Sequence, residues 1–582
     1  MKLKRPSSAS IALLFLLIAC VNPIADAKSG DWYENISRIN KVLLEVNTKY
    51  VEDVDPDKIT EAAVNGLHDV LDPHTAMFSP EDYSDLKVST DGEFGGLGIT
   101  ISIRDSWLTV ITPLQGTPAF KIGLQAGDKI VKIDGESTEG IKVDEAVDKL
   151  RGIIGTEVTI SIAREGFAEA LDFTIERGKI VIHSVPYSGI VEGGIGYIKI
   201  AQFSKTTGDD VREAIGDLKS KGMKKLILDL RYNPGGLLNQ AIEVSDLFLD
   251  KGKVIVSTKG RNQQTEARAE NNPILPKDFP LAVLVNGGSA SASEIVSGAL
   301  QDWDRGVIIG KTSFGKGSVQ TIYPLDNRGN ALKLTTAFYY LPHGRCINKP
   351  ENGIKIKEDA KDSTSIDSTA LRFSTSNGRE TWGAGGINPD VEQEATLLNW
   401  YQQLLERNAM FFKFAVKHRP EIEKVKTQVT PAWRIPSKVV EAFETFIGAD
   451  TLFAKSKTGS ETVVNMLNEV VIKENEALGI DSLSKDTTEV GKAIIALELA
   501  LKKQRKTAFH QNETYVKRAL KREFLSAFMG DEVSTSYMLQ FDKQVQEALN
   551  ILKDEKRYNK ILTVGEPKAE EPGKVTKTTK KK

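Results

Sequence analysis

The chain has 582 residues, of which 40% are hydrophobic and 27% are charged, and this composition is typical of folded domains rather than of disordered or fibrous proteins. Its length exceeds what one hydrophobic core supports, so we expect several domains. The formal net charge is only -2, and no strongly basic block lies in the part that looks folded, which argues against a nucleic-acid partner. A polypeptide or a small molecule is the favoured partner.

The first 27 residues are typical of an export signal. Basic residues precede the apolar run IALLFLLIA, which is too short to span a membrane as a stable helix. Two processing sites compete, because Ala25-Asp26-Ala27 suits signal cleavage whereas LIAC resembles a lipoprotein box that would place a lipid on Cys20. Either way we expect an exported protein, and in the second case Cys20 attaches it to a membrane.

The rest of the chain changes its pattern at four points. Residues 28–85 show apolar residues at helical spacing, residues 86–178 show short β-type runs between turns, and residues 179–395 alternate strand-like and helical runs. This alternation predicts an α/β core in which helices pack on a largely parallel sheet. Residues 396–562 are almost wholly amphipathic helix, and residues 563–582 lack apolar periodicity and are predicted to be disordered.

The strongest chemical signal is an apolar strand that stops at two glycines and passes through small residues into a helix, PLAVLVNGGSASASEIVSGALQD. A hydroxyl at such a junction is exposed and rigidly held, close to backbone N–H groups that favour negative charge. The candidate nucleophiles are Ser289, Ser291 and Ser293. Taken alone, a turn rich in glycine and serine is more often a plain capped helix.

A serine nucleophile needs a base, and none of the six histidines lies in this block. Only His343 falls late in the α/β region. The alternative base is a lysine that burial has made less basic. Lys316 is such a candidate, because it follows the apolar run GVIIG, is flanked by two glycines and can be shielded by Phe314. For any single lysine, however, a solvated loop position is the more frequent outcome.

Several motifs, taken together and in this order, resemble those of the C-terminal processing peptidases, also called tail-specific proteases. They cover roughly residues 35–395 and are LDPHTAMFSPEDY, EFGGLGI, GLQAGDKIVKIDG, LDLRYNPGGLL, NGGSASASEI, FGKGSVQ and GGINPDV. The resemblance implies a multidomain α/β protein with an N-terminal helical segment, a PDZ β-module, a peptidase core of the crotonase and Clp-protease type, and a helical C-terminal region. It also implies serine endopeptidase activity without a metal or an organic cofactor.

The same resemblance assigns the catalytic groups. The nucleophile, the base and the group that holds the base in place are, in that order, Ser291, Lys316 and Gln320. The backbone N–H groups of Gly235 and Ala292 would form the oxyanion hole. Gly235 lies in the sharp turn NPGG, where the following residue, Gly236, is a second candidate donor.

The resemblance also implies how tails are bound. The loop with which PDZ domains hold a C-terminal carboxylate corresponds here to Gly96, Leu97, Gly98 and Ile99. The tail then adds a strand to the sheet, and a pocket takes its last side chain, which the apolar surroundings predict to be apolar. Arg151 matches an arginine that links peptide occupancy to the active site in related peptidases, and the alternative for it is a plain surface arginine.

The leading hypothesis is therefore a serine endopeptidase of the bacterial cell envelope, in the periplasm, that binds C-terminal tails of exported proteins and cuts peptide bonds. The alternative is a catalytically silent PDZ scaffold, which has no need of the full catalytic set. A carrier of apolar ligands is disfavoured for the same reason. The helices of residues 396–562 suit either an adaptor-docking platform or self-association, and the sequence favours neither.

Overall fold

The computed structural model describes residues 29–67, 70–261, 263–349, 372–424, 426–477 and 489–564. The predicted export signal, Cys20 and nearly all of the predicted disordered tail lie outside these ranges. The chain divides into two compact units, Met1–Ser79 with Ile322–Leu334 and Pro80–Thr321 with Thr335–Lys582. In the ranges given above, no helix combines the length and the apolar character needed to cross a bilayer.

The first unit contains the N-terminal helical segment. Its elements are α1 (Ser29–Lys49), α2 (Pro56–Asn65) and β1 (Ala76–Phe78). Helix α2 begins with a proline, which is favoured at the first position of a helix. The Asp55 side chain caps the helix by accepting hydrogen bonds from the N–H groups of Asp57 and Lys58. Strand β1 pairs antiparallel with residues 331–333.

The second unit opens with a β-rich module. Its elements are α3 (Pro80–Asp91), β2 (Glu93–Gly96), β3 (Ile99–Arg104), β4 (Trp107–Pro113), α4 (Pro118–Lys121), β5 (Lys129–Ile133), β6 (Glu136–Ser137), α5 (Val143–Leu150), β7 (Glu157–Ala163), β8 (Leu171–Glu176) and β9 (Gly178–Val181). The main sheet is antiparallel with the order β3-β4-β5-β7-β8, and β2 pairs with β9. Alternate residues of β7 point into the core, as the two-residue period of a half-buried strand requires. In this order, β3 is an edge strand of the sheet.

The α/β core follows. Its elements are β10 (Tyr187–Glu192), β11 (Ile195–Lys199), α6 (Thr207–Ser220), β12 (Lys225–Asp229), α7 (Leu238–Asp246), β13 (Val254–Gly260), β14 (Gln264–Arg268), β15 (Leu281–Val285), α8 (Ala292–Asp302), β16 (Val307–Gly310), β17 (Ser318–Pro324), β18 (Ala331–Tyr340), β19 (Arg372–Ser374), β20 (Glu380–Trp382) and β21 (Val391–Glu392). One sheet has the order β10-β11-β12-β15-β16-β21 and is parallel except for β10. Strand β15 is buried throughout, as a parallel strand covered on both faces must be.

The C-terminal region is helical, as expected. Its elements are α9 (Trp400–Arg407), α10 (Met410–Lys417), α11 (Arg419–Glu423), a 3-10 turn (Lys426–Gln428), α12 (Ser437–Ala449), α13 (Thr451–Lys455), α14 (Gly459–Ala477), α15 (Glu489–Gln511), α16 (Glu513–Met529), α17 (Asp531–Leu539), α18 (Lys543–Lys553) and α19 (Glu555–Val564). Aromatic side chains of α10, α12 and α16 form a core of their own, in which Phe411, Phe414, Phe443 and Phe524 are fully buried.

The last two helices pack elsewhere. Alternate residues of β12 and β15 face opposite sides of the six-stranded sheet, and Leu226 and Val283 lie on the face that α6, α7 and α8 cover. Ile227 and Leu284 lie on the other face, where Val545, Leu549 and Ile561 of α18 and α19 cover them. The sheet is thus a middle layer, and residues 543–564 supply its second cover. The domain boundaries drawn from the sequence stay a prediction.

Candidate active site

Ser291 occupies the turn between β15 and α8. Its backbone lies at φ 52 and ψ -114, a strained conformation for a residue with a side chain. Such a sharp turn from a strand into a helix exposes a hydroxyl at the carboxyl end of the strand. Ala292 is the first residue of α8, where a backbone N–H group has no partner within the helix. The turn therefore places a hydroxyl beside an N–H group that can stabilise negative charge.

The structure distinguishes the three candidate serines by what their hydroxyls do. The Ser289 hydroxyl is fully buried and donates to the Leu230 carbonyl at 2.9 Å. The Ser293 hydroxyl is also fully buried and donates to the Asn233 carbonyl at 3.0 Å. Ser291 is only half-buried. The geometry therefore favours Ser291 as the nucleophile, and the other two hydroxyls hold the turn in shape.

Glu294, one turn into α8, joins the serine turn to the loop that carries Lys316. Its carboxylate is fully buried and accepts hydrogen bonds from the Ser291 N–H at 2.9 Å and the Lys316 N–H at 2.9 Å. Its other oxygen accepts from the Gly315 N–H at 2.7 Å and from the Ser313 hydroxyl. Burial raises the pKa of Glu294 to about 7, although these four donors oppose the shift.

Tyr339, on β18, makes a second connection between the same two segments. Its hydroxyl donates to the carbonyl of Lys316 and lies 3.3 Å from the carbonyl of Ser291. Burial raises the pKa of Tyr339 well above its usual range, and the nearby Glu294 carboxylate adds to the effect, so this hydroxyl keeps its proton. The N–H groups of Ser291 and Lys316 are thus held by Glu294, and their carbonyls are held by Tyr339.

Lys316 is half-buried, and the backbone of its loop requires a glycine on either side of it. Gly315 has φ +89, and a Cβ on Gly317 would come within 2.8 Å of the Asn348 backbone nitrogen. The predicted shielding residue, Phe314, is 42% exposed. Gln320 follows on β17, where its amide nitrogen donates to Ser318 at 2.8 Å and to Thr335 at 3.3 Å. That Gln320 orients Lys316 stays a prediction.

The NPGG turn lies against the serine turn. Gly235 has φ +100, and a Cβ on it would come within 2.8 Å of the Ser291 Cβ and 3.0 Å of the Ala292 nitrogen. The Gly235 N–H donates to the Asn233 side-chain oxygen at 2.9 Å. To bind an oxyanion, this N–H must leave the Asn233 oxygen or divide its hydrogen bond between the two acceptors. The Asn233 carbonyl accepts from the Ala290 N–H at 3.0 Å, which fastens one turn to the other. Gly236, with φ +143, packs on Phe203.

His343 lies away from this site. Its Nδ1 is 3.9 Å from a carboxylate oxygen of Asp302, and its ring packs against Trp303. Asp302 is the last residue of α8 and Ser291 precedes the first, so the two ends are about 16 Å apart at the helical rise of 1.5 Å per residue. His343 is therefore too distant to serve as the base for Ser291.

The predicted carboxylate-binding loop lies between β2 and β3. Gly98 has φ +76, and a Cβ on it would come within 2.3 Å of the Thr117 side chain, which donates to the Gly98 carbonyl at 3.1 Å. Leu97 is buried in the core of the module. Because β3 ends its sheet, one edge of it is available for an added strand. This combination of a glycine loop and a sheet edge suits the binding of a peptide tail.

Arg151 lies beside this loop at the end of α5. It pairs with Asp85 of α3, and its guanidinium lies 4.8 Å from the ring centre of Phe94 in β2. These contacts lie at the surface, and they fit both the predicted regulatory role and the alternative of a surface arginine. A link from Arg151 to the catalytic groups stays a prediction.

Two residues of the site were missed by the sequence reasoning. Glu294 carried a signal, because a serine followed three residues later by glutamate is the pattern of a capping box. That pattern predicts a helix start, and nothing in it indicates a carboxylate shared with a second loop. Tyr339 carried no signal that separates it from other aromatic residues of buried strands.

Three segments of the chain match known families. Residues 194–361 match "Peptidase family S41", residues 85–163 match "PDZ domain", and residues 401–552 match "Probable PDZ-protease, C-terminal helical domain".

Two bacterial relatives are similar to this chain over more than half of its length. The "Carboxy-terminal-processing protease" of Bartonella bacilliformis is 46% identical over 356 residues, which cover 60% of this chain and 80% of the relative. "Carboxy-terminal processing protease CtpA" of Bacillus subtilis is 33% identical over 404 residues, which cover 69% of this chain and 84% of the relative. Among solved structures, the "photosystem II D1 C-terminal processing protease" is 28% identical with a TM-score of 0.34, over 60% of this chain and 85% of that chain.

Proposed function

Because the chain belongs to the carboxy-terminal processing proteases of peptidase family S41, and is thus a serine-type peptidase with a PDZ domain, we propose that Ser291 and Lys316 are its catalytic pair. One observation carries this proposal. Ser291 is strained at the start of α8, and its backbone shares the buried Glu294 carboxylate with the backbone of Lys316. A nucleophile and a base that must cooperate need such a fixed relation.

In the proposed reaction, the Ser291 hydroxyl attacks the carbonyl carbon of the scissile bond while the Lys316 amine takes the hydroxyl proton. The oxyanion that forms accepts hydrogen bonds from the N–H of Ala292 and from that of Gly235 or Gly236. Lys316 then gives the proton to the leaving amine, and an acyl-enzyme remains on Ser291. A water molecule attacks this ester, Lys316 takes its proton and returns it to Ser291, and the second product leaves with a free carboxylate.

The substrate is a protein whose C-terminal tail is held by the PDZ domain. The loop from Gly96 to Ile99 takes the tail carboxylate, the tail pairs with β3, and apolar side chains beside the groove favour an apolar last residue. Support comes from the buried Leu97, the half-buried Ile99 and Ile101 and the end position of β3. Occupancy of this groove is reported to the catalytic site through Arg151.

We extend the proposal to the place of action. The basic and apolar start of the chain directs it out of the cytoplasm of a bacterium, so that its substrates are exported proteins of the cell envelope. Lipidation of Cys20 would hold it at a membrane, whereas cleavage after Ala27 would release it. Mass spectrometry of the mature N-terminus decides between these two forms.

The test is cleavage of an unfolded protein with an apolar C-terminus by the purified mature chain. We expect Ser291→Ala and Lys316→Ala each to lower kcat by about a thousandfold or more, as the loss of a nucleophile or a base does in serine peptidases. Lys311→Ala is the matched control, because Lys311 lies on the same loop and pairs at the surface with Glu392 and Glu394. It should cleave as the parent does.

A second readout locates the reactive group. A fluorophosphonate probe should label the parent at Ser291 and should leave Ser291→Ala unlabelled. If Ser291→Ala still cuts, the assigned nucleophile is wrong. If the parent binds tails but cuts none over a range of pH and tail sequences, the chain is a tail-holding scaffold.

A further inference from the structure

Arg231 lies at the junction of the sheet, the NPGG turn and the C-terminal helices. It follows β12, and only 9% of its side chain is exposed. Its Nε lies 3.0 Å from each carboxylate oxygen of Asp229, and its Nη2 lies 2.6 Å from one of them. One side of the guanidinium is thus paired within the peptidase core.

The other side is held from a distant part of the chain. The Arg231 Nη1 donates to the Asp542 carboxylate at 3.0 Å and to the Gln544 side-chain oxygen at 2.8 Å. Asp542 also caps α18, because it accepts from the N–H of Gln544 at 2.9 Å and from that of Val545 at 3.2 Å. Gln544 in turn donates to the Gln393 carbonyl at 2.7 Å. The start of α18 is therefore fixed, and it fixes Arg231.

Charges in this cluster are balanced. Burial alone would lower the pKa of Arg231, but the carboxylates of Asp229 and Asp542 raise it overall. Burial lowers the pKa of the neighbouring Lys199, against the opposing pull of Asp229. Removing a partner from a buried ion pair leaves an uncompensated charge, which the surrounding structure must move to relieve. The backbone next to Arg231 is the part that such a movement reaches first.

That backbone leads directly to the oxyanion turn. The Arg231 carbonyl accepts from Lys199, and the Tyr232 N–H donates at 2.9 Å to the Asn286 side chain in the serine turn. Asn233 comes next. Its side-chain nitrogen donates to the Ile200 carbonyl at 3.0 Å, and its side-chain oxygen accepts from the Gly235 N–H. A shift at Arg231 is therefore transmitted within four residues to the glycine that faces Ser291.

We propose that the start of α18 positions the oxyanion turn of the active site, with Asp542 and Gln544 acting through Arg231. This inference rests on the proposed function, because Gly235 and Ser291 have catalytic roles only there. It gives the C-terminal helices a part in catalysis, in addition to covering the sheet. Asp542, Gln544 and Arg231 are positioning residues, since none of them touches the reacting atoms.

The experiment replaces Asp542 in the full-length chain. Asp542→Ser keeps a side chain that caps a helix but is too short to reach Arg231. We expect kcat and the rate of fluorophosphonate labelling at Ser291 each to fall about tenfold, because a small misplacement of a catalytic group has effects of this size or larger. KM and the affinity of the PDZ domain for a tail peptide should stay unchanged, since the tail is bound elsewhere.

Lys553→Gln is the matched control. It removes an exposed ion pair of 2.8 Å between the far end of α18 and Glu192 of β10, and so weakens the same helix away from the turn. It should keep the kcat and the labelling rate of the parent. A purely structural role of Asp542 would lower the melting temperature in Asp542→Ser without lowering kcat in the folded protein.

Three results are informative. A folded Asp542→Ser with the labelling rate of the parent overturns the inference. If Asp542→Ser does not fold, Asp542→Asn decides, because it keeps the cap and an acceptor and loses only the charge; an unchanged labelling rate in that folded variant also overturns the inference. A parent that is not labelled at Ser291 overturns the proposed function instead.

Discussion

The proposed active-site turn, which carries Ser291, and the proposed tail-binding loop, from Gly96 to Ile99, are built in opposite ways. The active-site turn is held by two buried side chains, Glu294 on the N–H groups of Ser291 and Lys316 and Tyr339 on their carbonyls. The tail-binding loop lies next to a sheet edge, and the neighbouring Ile153 is 79% exposed. Chemistry needs groups that stay fixed, whereas recognition of an incoming strand needs backbone groups that are still unpaired. Changes in the first region should therefore act on kcat, and changes in the second on KM.

Among the variants that test this difference between the two regions, we expect the largest effect from Glu294→Gln. The amide cannot accept four hydrogen bonds, because one of its two ends is a donor. We expect kcat to fall about a hundredfold with little change in KM, since both catalytic segments lose a shared anchor. Glu392→Gln, which removes an acid from the surface pair with Lys311, is the control. A Glu294→Gln enzyme with the kcat of the parent would contradict the role assigned to this carboxylate.

Glu294 should also make stability and activity depend on pH in opposite directions. The pKa of Glu294 is raised from 4.5 to about 7, so the fold favours its protonated form. Its contribution to the free energy of unfolding is therefore full below pH 4.5 and is lost as the pH rises to about 7. Activity should change in the other direction, because only the ionised carboxylate accepts all four donors. Denaturant unfolding and kcat should both lose this pH dependence in Glu294→Gln.

A smaller effect, on KM, is expected from Gly98→Ala. The added Cβ would come within 2.3 Å of Thr117 at a φ of +76, so the carboxylate loop must shift. We expect the affinity for a tail peptide to fall about tenfold, with kcat for a substrate without a tail unchanged. Gly116→Ala is the control, because Gly116 has φ +79 and its Cβ would meet nothing within 4 Å. Equal losses in both variants would mean that backbone strain, and not the loop contact, is responsible.

The smallest effect is expected from Tyr339→Phe. The variant keeps the ring in the core and removes the hydroxyl that the two carbonyls share, while Glu294 still holds the N–H groups. We expect kcat to fall about fivefold and stability to fall by about 1 kcal/mol, the net value of an ordinary buried hydrogen bond. Tyr340→Phe, at the next residue of β18, should show neither change. If Tyr339→Phe changes KM instead, this hydroxyl belongs to recognition.

The sequence was informative wherever a property is local. Alternating strand-like and helical runs predict the α/β core, because short continuous apolar runs are typical of strands buried on both faces and longer amphipathic runs are typical of the helices that cover them. The glycines around Lys316 and the small residues around Ser291 are local demands of tight turns, so they too could be read. The predicted roles of Gln320, Gly235 and Arg151 stay predictions. Those of Gly235 and Arg151 depend on groups far away in the sequence, and the described hydrogen bonds of the Gln320 amide go to Ser318 and Thr335.

The missed features depend on partners that the sequence does not specify. The amphipathic pattern of α18 shows that one face is buried, but it cannot show that the face lies on β12 and β15. The pair of Arg231 and Asp542 joins residues 311 positions apart, and each reads alone as an ordinary charged residue. Glu294 resembled a capping residue because it is one, and its second partner lies on another loop.

The cover that α18 and α19 provide also sets the order in which this protein can fold. Contacts between Ile227 or Leu284 and residues beyond 540 have a very high sequence separation, and chains with such contacts fold slowly. Until residues 543–564 have been synthesised, one face of the six-stranded sheet is apolar and bare, and the intermediate is prone to aggregate. Cooperative closure of that face then comes late. A nascent chain of this protein therefore contains Ser291 long before residues 543–564 can cover the sheet.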